Sequence, residues 1–222
     1  MSNKRKKAGQ DTSDWRSTVF CWQGVLLREG DELLWRGTWV GSDLPTLPSP
    51  EALAGSQNSF VLKLNLVEPP RQLALVNLSE LAGKSGSFRG SYKLDQGDGL
   101  GLQSFQDVEH LVSFSDLQAD AEGGYLIVGA CGNTEFGRFV SHGRVTLTPG
   151  ADEGQVVLTL ARRYLRDADP RAACKTASAA LELAALGSHD ERAPARARAW
   201  GDLTAVLPWR VAKPSAKART AT

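Results

Sequence analysis

The chain is predicted to be a mainly β protein: a single closed antiparallel up-and-down barrel of about eight strands, followed by one α-helix. Two observations carry this. Apolar runs rich in β-branched and aromatic residues recur at close, regular spacing from Val19 to Tyr164. Between them lie turn-forming clusters drawn from 22 glycines and 10 prolines in 222 residues.

The first run, Val19, Phe20, Cys21, Trp22, Val25, Leu26 and Leu27, suits a strand buried on both faces. Glu29-Gly30-Asp31 turns it into a second strand, Leu33 to Val40. There Leu33, Trp35, Gly37 and Trp39 share one face, and Arg36 and Thr38 lie on the other. Residues 41 to 58 contain three prolines and read as a long loop. Phe60, Leu62, Leu64 and Leu66 then alternate with Lys63 and Asn65 in a half-buried strand. After Pro69-Pro70, the stretch Leu73 to Leu78 is read as a short strand or a covering segment.

Phe88, Tyr92 and Leu94 face inward on the next strand, and residues 95 to 101 form a loop. Leu111–Phe114, Tyr125–Ala130, Phe136–Leu147 and Val156–Tyr164 complete the set. Gly132-Asn133 is placed at a tight turn, because both residues tolerate positive φ, and Gly137 and Gly143 are expected to bend a long strand. Asp169-Pro170 has the form of an N-cap followed by proline at the first helical position. The Ala- and Leu-rich stretch after it predicts a helix over 169–187. The organisation expected is thus a basic disordered arm at 1–14, a barrel over 15–168, the helix, and a mostly disordered basic tail at 188–222.

Charge is unevenly spread. Lys4, Arg5, Lys6 and Lys7, with Arg210, Lys213, Lys217 and Arg219, contribute eight of the 26 basic residues, which leaves 18 against 25 acidic residues, or −7, for the body. Any polyanion contact is therefore expected through the tails. Lys4–Lys7 also matches a short nuclear-localisation cluster. Aromatic residues do not interleave with the tail cations, so nucleic acid is expected to bind there only by salt-sensitive phosphate contact. No signal-like or membrane-spanning apolar stretch is read, and a nuclear or cytoplasmic location is expected. Cys21, Cys131 and Cys174 fit no zinc spacing and are expected as reduced thiols, with Cys131 near a turn.

Chemical motifs are sparse. Asp95-Gln-Gly-Asp-Gly99 with Asp107 lacks the alternate spacing and closing glutamate of a calcium loop and reads as hairpin turn chemistry. Gly83-Lys84-Ser85 has Leu78 where a phosphate-binding loop needs glycine. His110, His142 and His189 form no evident ligand set, and Ser141 and His142, adjacent on a strand, point to opposite faces. No cofactor, metal or catalytic residue is expected, and the balance leans away from an enzyme.

Gly37-Thr38-Trp39 near the first barrel strand resembles the Gly-x-Trp signature of the lipocalin and calycin families. The resemblance implies a lipocalin-like barrel in which a late-strand arginine, Arg162 here, packs across a tryptophan, Trp39 or Trp35. Arg162 shares the apolar face of Val156, Leu158, Leu160 and Tyr164, where a cation–π contact worth about 0.5 to 2 kcal/mol would pair it.

Two functions of different class follow. The first is a non-catalytic protein-interaction or scaffold module, a subunit of an intracellular complex, with Trp200, Leu203, Leu207 and Trp209 as the partner-binding cluster. The second is a carrier or enzyme that holds a small apolar ligand inside the barrel, lined by Trp35, Trp39, Phe60, Tyr92, Phe139 and Arg162. A hollow interior distinguishes the second from the first.

Overall fold

A computed structural model describes residues 18–42, 48–68, 76–96, 99–119, 124–148, 154–167 and 169–182. Eight antiparallel strands close on themselves in sequence order: β1 (Val19–Glu29), β2 (Glu32–Ser42), β3 (Ser59–Leu66), β4 (Ser85–Asp95), β5 (Leu102–Phe114), β6 (Tyr125–Thr134), β7 (Gly137–Leu147) and β8 (Val156–Tyr164). Closure is made by β1 on β8, with Phe20 opposite Arg162 and Trp22 opposite Leu160. Full closure leaves no exposed sheet edge. The basic arm with its Lys4–Lys7 cluster and the tail with Trp200, Leu203, Leu207 and Trp209 lie outside the described residues.

The alternation read from sequence places the core. Leu33, Trp35 and Trp39 of β2, Phe60, Leu62 and Leu64 of β3, and Phe88 and Tyr92 of β4 are all buried inside. Gly37 is needed where β1 and β2 cross, because a Cβ there would overlap the Gln23 carbonyl and the Gly24 Cα of the neighbouring strand. Gly30, at φ +59° in the β1–β2 turn, needs its conformational freedom but not the space.

Four expectations are corrected. Gly132 and Asn133 are paired residues of β6, and the β6–β7 turn falls at Glu135-Phe136, followed by Gly137 at φ +110°. Cys131 consequently sits inside a strand and is buried. β5 begins at Leu102, nine residues before the strand read at Leu111, because its first half is mostly polar and exposed. The helix expected over 169–187 starts as foreseen, with the Asp169 side chain accepting from the Arg171 N–H, but only as a 3₁₀ turn, Pro170–Ala173, that ends at an extended Cys174. Helical backbone resumes over 177–182.

Two short helices flank the barrel. α1 (Pro50–Ala54) is tied to β2 by the Thr38 hydroxyl, which donates to the Leu53 carbonyl at 2.7 Å. α2 (Leu78–Leu81), which begins at the last residue of the stretch read as a strand or covering segment, puts Leu78 and Leu81 into the core at the end where β3 leaves and β4 enters. Residues 165–167 and 169–182 lie against the outer face of β6 and β7 as a strap. Cys174 and Ala180 pack with Cys131 and Val140, and Leu181 packs on Tyr125 and Ile127. The helical backbone at Ala180-Leu181 passes so close to Gly129 that a Cβ there would overlap it.

His142 points outward from β7 and is buried. Burial, reinforced by the Arg171 guanidinium, lowers its pKa from 6.5 to about 4. Its folded value is depressed, so the unfolded chain takes up a proton that the native one refuses as pH falls from 6.5 to 4. Up to about 3 kcal/mol of stability is therefore expected to disappear across that window. Urea unfolding at stepped pH measures it, and His142→Asn is expected to flatten the slope. In the same assay Gly37→Ala is expected to cost more than about 3 kcal/mol through backbone overlap, whereas Gly30→Ala should cost only about 1 kcal/mol.

Candidate ligand site in the barrel mouth

The interior differs between its two ends. Towards the α2 end it is filled: Trp35 and Phe60 stand edge-to-face with ring centroids 4.5 Å apart, and Trp35 meets Phe88 at 5.0 Å, above Leu62, Leu64, Leu126 and Leu158. Towards the other end, where β1 begins and β8 ends, a cavity of about 320 Å³ remains, lined by Phe20, Trp22, Trp39, Tyr92, Leu94, Phe136 and Tyr164. Of the six residues expected to line a hollow interior, Trp39 and Tyr92 do so. Trp35, Phe60, Phe139 and Arg162 are packed beneath it.

A polar cluster occupies the middle of the barrel, and a β-bulge creates it. Phe88 on β4 pairs with His110 on β5 and Gly90 pairs with Asp107, so two steps along β4 match three along β5. In a regular strand, residues three apart face opposite sides. The extra residue lets both Asp107 and His110 point into the barrel, each fully buried.

Arg162 from β8 meets them. Its Nη2 donates to Asp107 Oδ2 at 2.9 Å and lies 3.1 Å from His110 Nδ1, which is itself 3.1 Å from Asp107 Oδ2. The guanidinium is held between two rings, 4.3 Å from the centroid of Trp22 and 3.9 Å from that of Phe139. The arginine–tryptophan stack expected on Trp39 or Trp35 is thus made on Trp22. Trp39 lies one layer further out, stacked on Trp22 at 5.6 Å and 12°.

Burial works against every charge here, and the pairing decides which survive. Burial opposes ionisation of Asp107, but His110 and Arg162 outweigh it and hold the carboxyl well below its usual range. Burial likewise opposes the Arg162 charge, which Asp107 and a hydrogen bond with Tyr164 restore. His110 is lowered by burial against the pull of Asp107, which keeps the imidazole neutral. Neutral His110 donates from Nδ1 to Asp107. The cluster is one cation and one anion, neutral as a whole.

Several polar atoms of this region are buried without a hydrogen-bond partner: Trp22 Nε1, Tyr92 Oη, Asp107 Oδ1, His110 Nε2, Ser141 Oγ and Arg162 Nη1. Buried polar atoms are nearly always paired, so each needs a reason. Trp22 and Tyr92 are the two whose side chains also line the cavity. Burial pushes the Tyr92 phenol upward, so it stays protonated and able to donate. Trp39 contrasts with them, since its Nε1 donates to the Lys93 carbonyl at 3.1 Å.

Reasoning from sequence missed Asp107 as a partner for Arg162, and missed Phe20, Trp22, Leu94, Phe136 and Tyr164 as cavity walls. An arginine on an apolar face requires a counter-charge, and that signal was available. The bulge that turns Asp107 inward has no mark in the sequence. His110 and His142 do not meet, because one lies inside the barrel and the other beneath the strap. Among the described residues no group of three or more His, Cys, Asp and Glu residues is placed to hold a metal ion. No described helix is long and apolar enough to cross a membrane.

Removing one member of the central pair leaves the other charge buried alone. Arg162→Met is expected to lower unfolding free energy by about 3 to 5 kcal/mol, and Arg162→Met with Asp107→Leu to recover much of that, as read by urea denaturation. Compared with protein-family models, curated proteins and solved structures, the chain matches none of them.

Proposed function

We propose that the protein binds a small ligand in the barrel mouth, with an apolar, ring-sized body between Trp39, Phe136 and Leu94 and a hydrogen-bond acceptor directed inward. The observation that carries this reading is an almost wholly apolar aromatic cavity, two of whose wall residues, Trp22 and Tyr92, carry buried side-chain donors without a partner just behind that wall. Leaving such donors unpaired costs about 1 to 3 kcal/mol each, and a ligand acceptor removes that cost. A volume of about 320 Å³ is within the range of small-molecule sites.

The reading is one of binding rather than of reaction. His110 and Asp107, the groups suited to proton transfer, have no exposed surface and lie with Arg162 below the wall formed by Trp22. Of the two functions expected from sequence, the hollow end favours the carrier. The interaction module, the first of the two, rested on the tails and the C-terminal apolar cluster, which lie outside the described residues.

Titration with anilinonaphthalene sulfonate, an aromatic body bearing an acceptor oxygen, tests the site. One equivalent is expected to bind with quenching of tryptophan emission. Leu94→Trp, which fills the cavity, is expected to abolish binding, and Tyr92→Phe to weaken it about tenfold. No saturable binding, or binding indifferent to Leu94→Trp, would contradict the reading.

A further inference from the structure

The strap carries a second site, unrelated to the barrel mouth. Cys131 on the outer face of β6 and Cys174 at the end of the 3₁₀ turn pack in one cluster with Val140, Leu165 and Ala180, and their thiols are hydrogen-bonded to each other. Both are free. Two thiols from segments 43 positions apart in the chain are thus already at contact, in a sheet and a strap fixed by Gly129, Ala180 and Leu181.

We propose that Cys131 and Cys174 form a dithiol site that a small disulfide oxidises to an intramolecular bond, fastening the strap covalently to the barrel.

All three cysteines are buried, and position distinguishes the pair from the third. Both sulfur-bearing residues line a surface cavity of about 260 Å³ with Arg89, Arg138 and Lys175 against one carboxylate, Glu109. The hydrogen bond from Cys131, helped by Arg138, holds the Cys174 thiol below its usual value. The same bond together with burial pushes Cys131 upward, so Cys174, whose thiol donates to the Thr176 carbonyl at 3.7 Å, is the one that attacks first. Cys21, in β1, does not line that cavity, and burial raises its thiol to about 12, so it does not compete.

The step balances with the small disulfide as oxidant. The Cys174 thiolate attacks one of its sulfur atoms, the small molecule's S–S bond breaks, and one thiolate leaves. Cys131, giving up its proton, then attacks the Cys174 sulfur and expels the second. Two protein thiols lose two electrons and two protons, and the small disulfide leaves as two thiols. A disulfide between these positions draws the sulfurs from hydrogen-bonding distance to about 2 Å.

Incubation of the native full-length chain with oxidised glutathione at about pH 8, followed by thiol counting and peptide mapping, tests this. Free thiols are expected to fall from three to one. Cys131 and Cys174 should appear in one linked peptide, with a mass lower by two hydrogens and strap proteolysis slowed. Cys131→Ser is expected to trap one glutathione on Cys174. Three surviving thiols, first modification at Cys131 or Cys21, or linkage only between chains would overturn the proposal. The wild-type peptide map decides the matter even if the variant does not fold.

Discussion

Arg162 and Asp107 bury opposite charges at the centre of a barrel otherwise packed with aromatic and branched side chains, and the rest of the interior is arranged around that pair. Neither charge is tolerable alone in such surroundings. Their contact requires β5 to carry a bulge, because only the extra residue opposite Arg89 turns both Asp107 and His110 inward. It also requires aromatic faces above and below the guanidinium, which Trp22 and Phe139 provide at 4.3 and 3.9 Å. The pair spans the barrel from β5 to β8, while β8 closes onto β1. Closure and charge neutrality are therefore satisfied together.

The same arrangement explains why one end is solid and the other hollow. Below the guanidinium, Trp35, Phe60 and Phe88 interlock and α2 covers the end with Leu78 and Leu81. Above it, Trp22 lies flat on Arg162 and against Trp39, so its ring forms a floor rather than filling the space. Tyr92 and Tyr164 bring polar ends to the same level, and Tyr164 bonds Arg162 while Tyr92 is left unpaired. What results is an aromatic chamber whose wall residues Trp22 and Tyr92 carry buried donors without a partner.

Much of this was legible in the residues. Period-two alternation located Trp35, Trp39, Phe60 and Tyr92 inside, and the isolated cation on β8 announced a buried contact. Strand order in a closed meander follows from consecutive hairpins. Three features were not legible, each for a physical reason. The bulge depends on register between two strands and not on local composition. The first half of β5 carries polar residues because its outer face meets water, so it read as loop. Which tryptophan receives Arg162 depends on how strands coil at closure: Trp22 and Trp39 sit directly opposite on β1 and β2, and only the tilt of the barrel chooses between them.

The central proposal is that a ligand entering the cavity floored by the Trp22 ring supplies an acceptor to the buried, unpartnered Trp22 indole N–H. Indole N–H resonances in a nitrogen-15 NMR titration with anilinonaphthalene sulfonate test it most directly. The expected result is a downfield shift of the Trp22 indole proton as the site fills, with Trp35 unmoved in the solid end. A saturating titration in which Trp22 stays still, or in which Trp35 moves instead, would contradict it.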